Sequence, residues 1–391
     1  MQEQWTASDP PVPVTFVGSH ARLGGSELAL ERLLSTLGHD WVDRVIVLED
    51  GPAVRRLGAL GVRVEVLPSG TRAGLLTAAW RLRARLAGGG ARLVHANGVK
   101  AALVAGLGLT GTGVPVLWVK HDLSWDGPLA RLVAAGCAEV VGVSEAVLAT
   151  LRRGRPRGLP RPRLAVVPNG IREPEADRAD TRASLDRALG LDGSTSLVAL
   201  VGRVHPAKGQ AELVEAAPEV LRLRPCARIL LVGGEDASQP AYAARVRERI
   251  RALGLGDRVL ELGHRDDAAA LIAAVDVLTV PSGPDERGMG REGFGLAGVE
   301  ALAAGTPVVG YADGALPEVL GDAAVLVAPG DRAALALAVA ELLGDPDRRA
   351  ALAEAGRRRF AERYRLETTA AAMAARYRAA VSPAARRGPG D

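Results

Sequence analysis

The chain has 391 residues, of which 48% are hydrophobic and 3% aromatic; it is long for one core and comfortable for two, with interiors built from Val, Leu, Ile and Ala. Two cysteines, Cys137 and Cys226, are too few for a disulfide framework or a zinc cluster; both are expected to be small buried residues of a chain in reducing surroundings. The net charge of +4 is uneven, with 21 Lys/Arg against 13 Asp/Glu in residues 1–172 and 28 against 32 thereafter.

No basic start followed by an apolar run opens the chain, so no secretory leader is expected. Val12–Val17 reads as a strand, followed by a glycine loop through Gly24 and Gly25 and a helix from Glu27 to about Leu37. The alternation repeats as strand Val45–Leu48, helix Ala53–Leu60, strand Val62–Leu67, helix Gly74–Leu86 and strand Leu93–His95. The uncharged run Ala101–Val119 has the length of a membrane span. Its four glycines and Pro115 make it a helix, a turn and the core strand Val116–Val119 instead. Strand Val140–Val143 follows, then a helix capped by Ser144. Six arginines lie between Arg152 and Arg163 among Pro and Gly. They fit an anionic acceptor or a membrane surface, or else a solvated loop in an arginine-rich chain; nucleic acid is not expected, because no aromatics are interleaved for base stacking. Strand Leu164–Val167 ends in the turn Pro168-Asn169-Gly170.

The polar stretch Arg172–Asp186 reads as a linker with a first helix. A second series then follows, with strands Leu197–Val201, Arg228–Val232, Val259–Leu262, Val277–Val280, Pro307–Val309 and Ala324–Val327. Helices Gln210–Arg222, Tyr242–Leu253, Ala268–Ala274, Leu296–Ala304 and Arg332–Leu343 are expected among them. Two βα series in succession predict an α/β chain with two doubly wound parallel sheets. Helices Asp347–Tyr364 and Leu366–Ala380 end the ordered chain, and the tail 382–391 is expected to be disordered.

Two segments carry the chemistry. Strand Leu197–Val201 runs into Gly202-Arg203-Val204-His205-Pro206-Ala207-Lys208-Gly209, a glycine-bounded loop before a helix, which is an anion site at the carboxyl end of an open sheet. Arg203 can fork onto a phosphate and Lys208 supplies a point charge. The Gly-Lys-Ser/Thr order of a P-loop is absent. In the second segment, Glu292 and Glu300 stand eight positions apart around Gly293-Phe294-Gly295-Leu296, where glycines let a ligand approach the backbone at a helix N-terminus. Phosphate between two hydroxyl-bearing ends describes a nucleotide-sugar.

Together these segments make the chain resemble the retaining glycosyltransferases of the GT-B fold, in the large family numbered four. Gly24-Gly25-Ser26-Glu27, Pro168-Asn169-Gly170-Ile171, Gly263-His264-Arg265-Asp266-Asp267 and Asp276–Ser282 extend the resemblance over nearly the whole chain. It implies two Rossmann-like domains facing a cleft. Residues 1–172 would bind the acceptor, with a crossing helix in 357–381 returning to them, and 173–356 would bind the donor. It implies catalytic roles for His121, Glu292, Arg203 and Lys208. Arg203 and Lys208 would hold the diphosphate, Glu300 the ribose diol, and Glu292 the sugar hydroxyls with the amides of Gly293, Phe294, Gly295 and Leu296. Gly24, Gly25, Gly202 and Asn169 would contribute to donor binding, and His264 and Arg265 would line the base. His121 would lie near the reacting sugar.

The expected donor is a UDP-sugar, with a GDP-sugar as alternative; the acceptor hydroxyl is unknown, a cell-envelope glycan or lipid or a small natural product. No metal or cofactor is expected, since Asp345-Pro346-Asp347 reads as a helix start. A cytoplasmic protein is expected, with peripheral membrane contact through its basic half. A glycosidase pair is rejected, because Glu292 and Glu300 belong to one rigid element. An epimerase of the same fold and a non-catalytic nucleotide-sugar-binding protein are the rivals. A nicotinamide dehydrogenase would need Gly-x-Gly-x-x-Gly after the first strand. His95, at the end of its strand, is left open between a ligand contact and a structural role.

Overall fold

A computed structural model of the chain describes residues 10–22, 24–70, 72–88, 91–123, 127–152, 161–175, 177–285, 288 and 290–382. The expected tail lies outside them except for Ser382, as does most of the Arg152–Arg163 segment. The described residues form thirteen strands: β1 (Val14–Gly18), β2 (Val42–Val47), β3 (Val64–Val66), β4 (Leu93–Asn97), β5 (Val116–Lys120), β6 (Glu139–Gly142), β7 (Arg163–Val166), β8 (Ser196–Val201), β9 (Ala227–Val232), β10 (Val259–Gly263), β11 (Val277–Val280), β12 (Val308–Tyr311) and β13 (Ala324–Val327). All pair in parallel, in the orders β3-β2-β1-β4-β5-β6-β7 and β10-β9-β8-β11-β12-β13.

Strands buried on both faces explain the near-continuous Val, Leu, Ile and Ala runs that mark them in the sequence. Each sheet reverses its winding once, between β1 and β4 and between β8 and β11. At such a point the flanking loops diverge and leave a crevice beyond the carboxyl ends of the strands. Helices Arg72–Leu86, Val99–Leu109, Pro128–Ala135 and Glu145–Arg152 follow β3, β4, β5 and β6 and share one core with the sheet. Pro128–Ala135 is absent from the sequence reading; its eight residues and two turns give little periodicity to detect.

Apart from the short stretch at Asp122, the chain divides into two compact units. The N-terminal unit runs to Ile171 and resumes at Arg365, and the C-terminal unit spans Arg172–Tyr364. The break falls later than the expected 357, because helix Pro346–Arg363 packs on the C-terminal unit. There Arg359 donates to the carbonyls of Glu318 and Val319, and Phe294 meets Tyr364 edge to face. Helix Leu366–Val381 packs on helix Gly25–Leu37 of the N-terminal unit. Arg365 bridges to Ile171, and Arg376 reaches the fully buried Glu139 at 3.1 Å. Cys137 is buried as expected, whereas Cys226 is exposed. It stands in the Arg224-Pro225-Cys226 turn before β9, where the helix has ended and the sheet has not begun. Asp345 caps helix Pro346–Arg363 by accepting from the Arg348 amide at 2.8 Å.

Candidate functional site

In the C-terminal unit the winding reversal joins the loop after β8 to the loop after β11. The first makes a 3-10 turn, Pro206–Lys208, capped by His205, whose Nδ1 accepts from the Ala207 amide at 3.2 Å. His205 is held neutral below its ordinary pKa, by burial first and then by the charge of Arg203. Gly209 ends the turn at φ +78°, where a Cβ would stand 2.1 Å from the Pro281 carbonyl oxygen. Only glycine lets the two loops close to this distance. Buried Gln210 then donates to the Arg203 carbonyl at 2.8 Å and fixes the loop from below.

The turn delivers Lys208 to Glu292, Nζ to Oε2 at 2.6 Å. Burial would push the Glu292 carboxyl up; the charge and hydrogen bond of Lys208, the Ser282 hydroxyl and the Gly295 amide hold it below the ordinary range instead. The side chain is 14% exposed, so this is a sheltered, ionised pair. The backbone of Glu292 is pinned as well, its carbonyl accepting from the Ala315 amide at 2.8 Å. Gly295, at φ +88°, turns the chain into helix Leu296–Ala304, whose first turn is open to an anion, and Glu300 lies one turn further along, partly buried. Phe294 is buried against Tyr364, which leaves only its backbone for a ligand.

Arg203 is 51% exposed at the loop's start and donates to Asp236 at 2.6 Å. Desolvation works against an ionised Asp236, and the hydroxyl and amide of Ser238, with Arg203 after them, outweigh it. Beside this pair, Val204, Gly233, Gly234, Gly263 and His264 line a cavity of ≈350 Å³ at the ends of β8, β9 and β10. Arg247 closes one side through Glu235 and Glu261. His264 faces Asp266 at 3.3 Å and Arg265 forks onto Asp267, so their side chains are engaged locally.

The reversal in the N-terminal unit centres on the uncharged Asn97, with the Lys100–Glu49 ion pair, 2.7 Å, beside it. The helix Gly25–Leu37 that follows β1 has Gly24 as its N-cap residue. Asn97, at the end of β4, donates Nδ2 to the Ser26 carbonyl at 3.2 Å and receives His121 Nε2 on Oδ1 at 2.6 Å. With Oδ1 as the acceptor, His121 Nε2 is the donor of this contact. His95 is 1% exposed and meets Tyr377 Oη at 2.7 Å. Burial, then the neighbouring His121, drives its pKa down to about 3. These groups and Asn169 surround a cavity of ≈30 Å³, room for about one water. His95 is thus held from within the core by Tyr377. The structure groups Arg203, Lys208, Glu292, Gly295 and Glu300 in one unit, and His121 with Asn169 in the other. The sequence reading missed Gln210, Asp236, Ser282 and Asn97 as supports; the signal for Asn97 was a polar residue at the carboxyl end of a central strand.

Comparison with known proteins identifies the family and the fold. The family described as Glycosyl transferases group 1 matches residues 181–359, and the Glycosyl transferase 4-like domain matches residues 24–170. A D-inositol 3-phosphate glycosyltransferase of Salinispora arenicola is 30% identical over 86% of this chain and 80% of its own length. The chain belongs to the group 1, family-four glycosyltransferases. A GDP-mannose-dependent monoacylated alpha-(1-6)-phosphatidylinositol monomannoside mannosyltransferase of Corynebacterium glutamicum is 32% identical, over 53% of this chain and 54% of its own length. Two further relatives described as D-inositol 3-phosphate glycosyltransferases are matched over 66% and 42% of theirs. In fold, Anabaena Alr3699/HepE, solved with UDP and glucose, superposes with a TM-score of 0.81 at 24% identity, over 93% of this chain and 99% of that one. The fold is GT-B.

Proposed function

We propose that the protein transfers a sugar from a nucleoside-diphosphate donor to an acceptor hydroxyl with retention at the anomeric carbon. The observation that carries the reading is the sheltered Lys208–Glu292 pair at the winding reversal, set against the N-terminus of the helix that bears Glu300. In this account Lys208 keeps one N–H on Glu292 and turns others to the donor diphosphate, with Arg203 beside it. Both then stabilise the charge that grows as the sugar–phosphate bond breaks. Glu292 accepts from the sugar hydroxyls, and being held ionised it accepts over the working pH range. Glu300 accepts from the ribose diol. The ≈350 Å³ cavity, walled by glycine backbone and Val204, suits a planar base. No metal is assigned to the step.

His121 of the N-terminal unit is assigned to the transferred sugar, with Asn97 as the residue that orients its ring. Gly24 and Gly25, at a helix N-terminus, are assigned to the diphosphate, and residues 1–172 to the acceptor. The base is taken as uracil and the Corynebacterium relative keeps guanine as the alternative. Incubation with radiolabelled UDP- and GDP-sugars and a panel of hydroxyl acceptors tests the reading. Label moving to an acceptor supports it; release of an epimer favours the epimerase, and binding without turnover the silent protein.

A further inference from the structure

Three helices on one face of the N-terminal sheet leave large apolar side chains in water: Leu76 and Trp80 on Arg72–Leu86, Leu107 on Val99–Leu109, and Leu129 and Leu132 on Pro128–Ala135. Trp80 is 69% exposed and Leu76, one turn before it, 65%. The helices adjoin. At Gly108 an added Cβ would come 2.5 Å from the Ala79 carbonyl oxygen, so the first two cross there, with Trp80 and Leu107 beside the crossing in sequence. Gly106 packs on Gly136, just past the third helix and one turn beyond Leu132. A single exposed leucine is ordinary. Five apolar side chains on three adjoining helices, one of them an indole, form a patch that calls for a partner.

Charge identifies the partner. The three helices contain no Asp or Glu and carry Arg72, Arg81, Arg83, Arg85, Lys100 and Arg131, of which Lys100 is paired with Glu49. Arg81, Arg83 and Arg85 are exposed on the helix of Trp80; Arg83 also donates to the carbonyls of Gly108 and Thr110, and Arg85 pairs with Glu65. A second copy meeting this face symmetrically would set these arginines against themselves. An anionic bilayer meets both requirements: indole and leucines settle at headgroup depth while guanidinium groups reach the phosphates. None of the described helices is long and apolar enough to cross a membrane, so attachment would lie in the plane of the surface.

We propose that this face docks on an anionic phospholipid bilayer, with Leu76, Trp80, Leu107 and Leu132 entering the interface and Arg81 facing the phosphates. The claim is independent of whether sugar is transferred. Co-sedimentation of the full chain with phosphatidylglycerol/phosphatidylcholine vesicles, and with phosphatidylcholine alone, tests it. Binding is expected only to the anionic vesicles and is expected to weaken with salt. The double variant Leu76→Gln/Trp80→Gln is expected to lose about tenfold in partitioning, and Arg81→Glu about fivefold. All three positions are exposed, and unchanged circular dichroism and UDP binding would show the fold intact. Equal partitioning of wild type and both variants, or equal binding to neutral vesicles, would overturn the proposal. So would a dimer in light scattering that the double variant dissociates, which would make a second copy the occupant.

Discussion

The two sheets share their winding, three strands to one side of the reversal and the rest to the other, yet they place different side chains at that point. In the C-terminal unit the reversal carries formal charges, Lys208 with Glu292 and Arg203 with Asp236, the carboxylates sheltered and the cations more exposed. In the N-terminal unit it sets Asn97 on His121 and His95 on Tyr377, with a Lys100–Glu49 ion pair beside them. Parallel topology makes the crevice in both; the side chains at the strand ends decide what it can hold. Charges suit a diphosphate, whose own charge must be met when it leaves water. An oriented imidazole suits proton or hydroxyl chemistry on an uncharged sugar.

This contrast can be broken by substitution. Lys208→Ala should have the largest effect, lowering kcat/KM by about 10²–10³-fold through loss of charge stabilisation at the leaving diphosphate. It should also cost about 1–3 kcal/mol of stability, because Glu292 keeps its shelter and loses its partner. Glu292→Gln added to it should recover part of the stability and none of the activity, as read by urea unfolding and steady-state kinetics. His121→Ala should lower kcat by about 10²-fold with donor affinity nearly unchanged. Equal losses in both would make His121 a binding group and dissolve the contrast.

Smaller effects separate structure from site. Gly209→Ala should cost about 2 kcal/mol or more, since its φ is left-handed and its Cβ would strike the Pro281 carbonyl. Gly202→Ala should cost under ~0.5 kcal/mol, because a Cβ there meets only the Lys208 stem at 3.6 Å. The two urea midpoints decide it. His95 gives a pH signature: its folded pKa, about 3, lies below the ordinary 6.5. Its stabilisation is therefore complete above pH 6.5 and is lost by up to about 1.4 kcal/mol per pH unit as pH falls from 6.5 toward 3. Tyr377→Phe should remove about 1 kcal/mol at neutral pH and leave that acid slope in place.

Much of the C-terminal site was legible because it is local in sequence. Glu292 to Glu300 is one turn and one helix, and Gly202 to Gly209 is one loop, so spacing alone brought their residues together. Partners supplied by other elements were not legible. Asp236 is 33 residues from Arg203 and Tyr377 is 282 from His95, and nothing in either stretch names the other. Gly209 showed as a glycine, but its need appears only once β11 brings the Pro281 carbonyl against it. Cys226 misled for a related reason, since apolar neighbours in sequence do not bury a residue in a turn. Helix Pro128–Ala135 is the fold's counterpart: too short for periodicity, it is required only because parallel neighbours β5 and β6 need a crossover.

The central claim is that the C-terminal unit grips a nucleotide at both ends of one element, Glu292 on the sugar and Glu300 on the ribose. Calorimetric titration of UDP into wild type and Glu300→Ala tests it most directly, with GDP run in parallel for the base. The account predicts at least about tenfold weaker binding for the variant, with an unchanged unfolding midpoint in the absence of nucleotide. Equal affinity of the two proteins for the nucleotide they bind would contradict it.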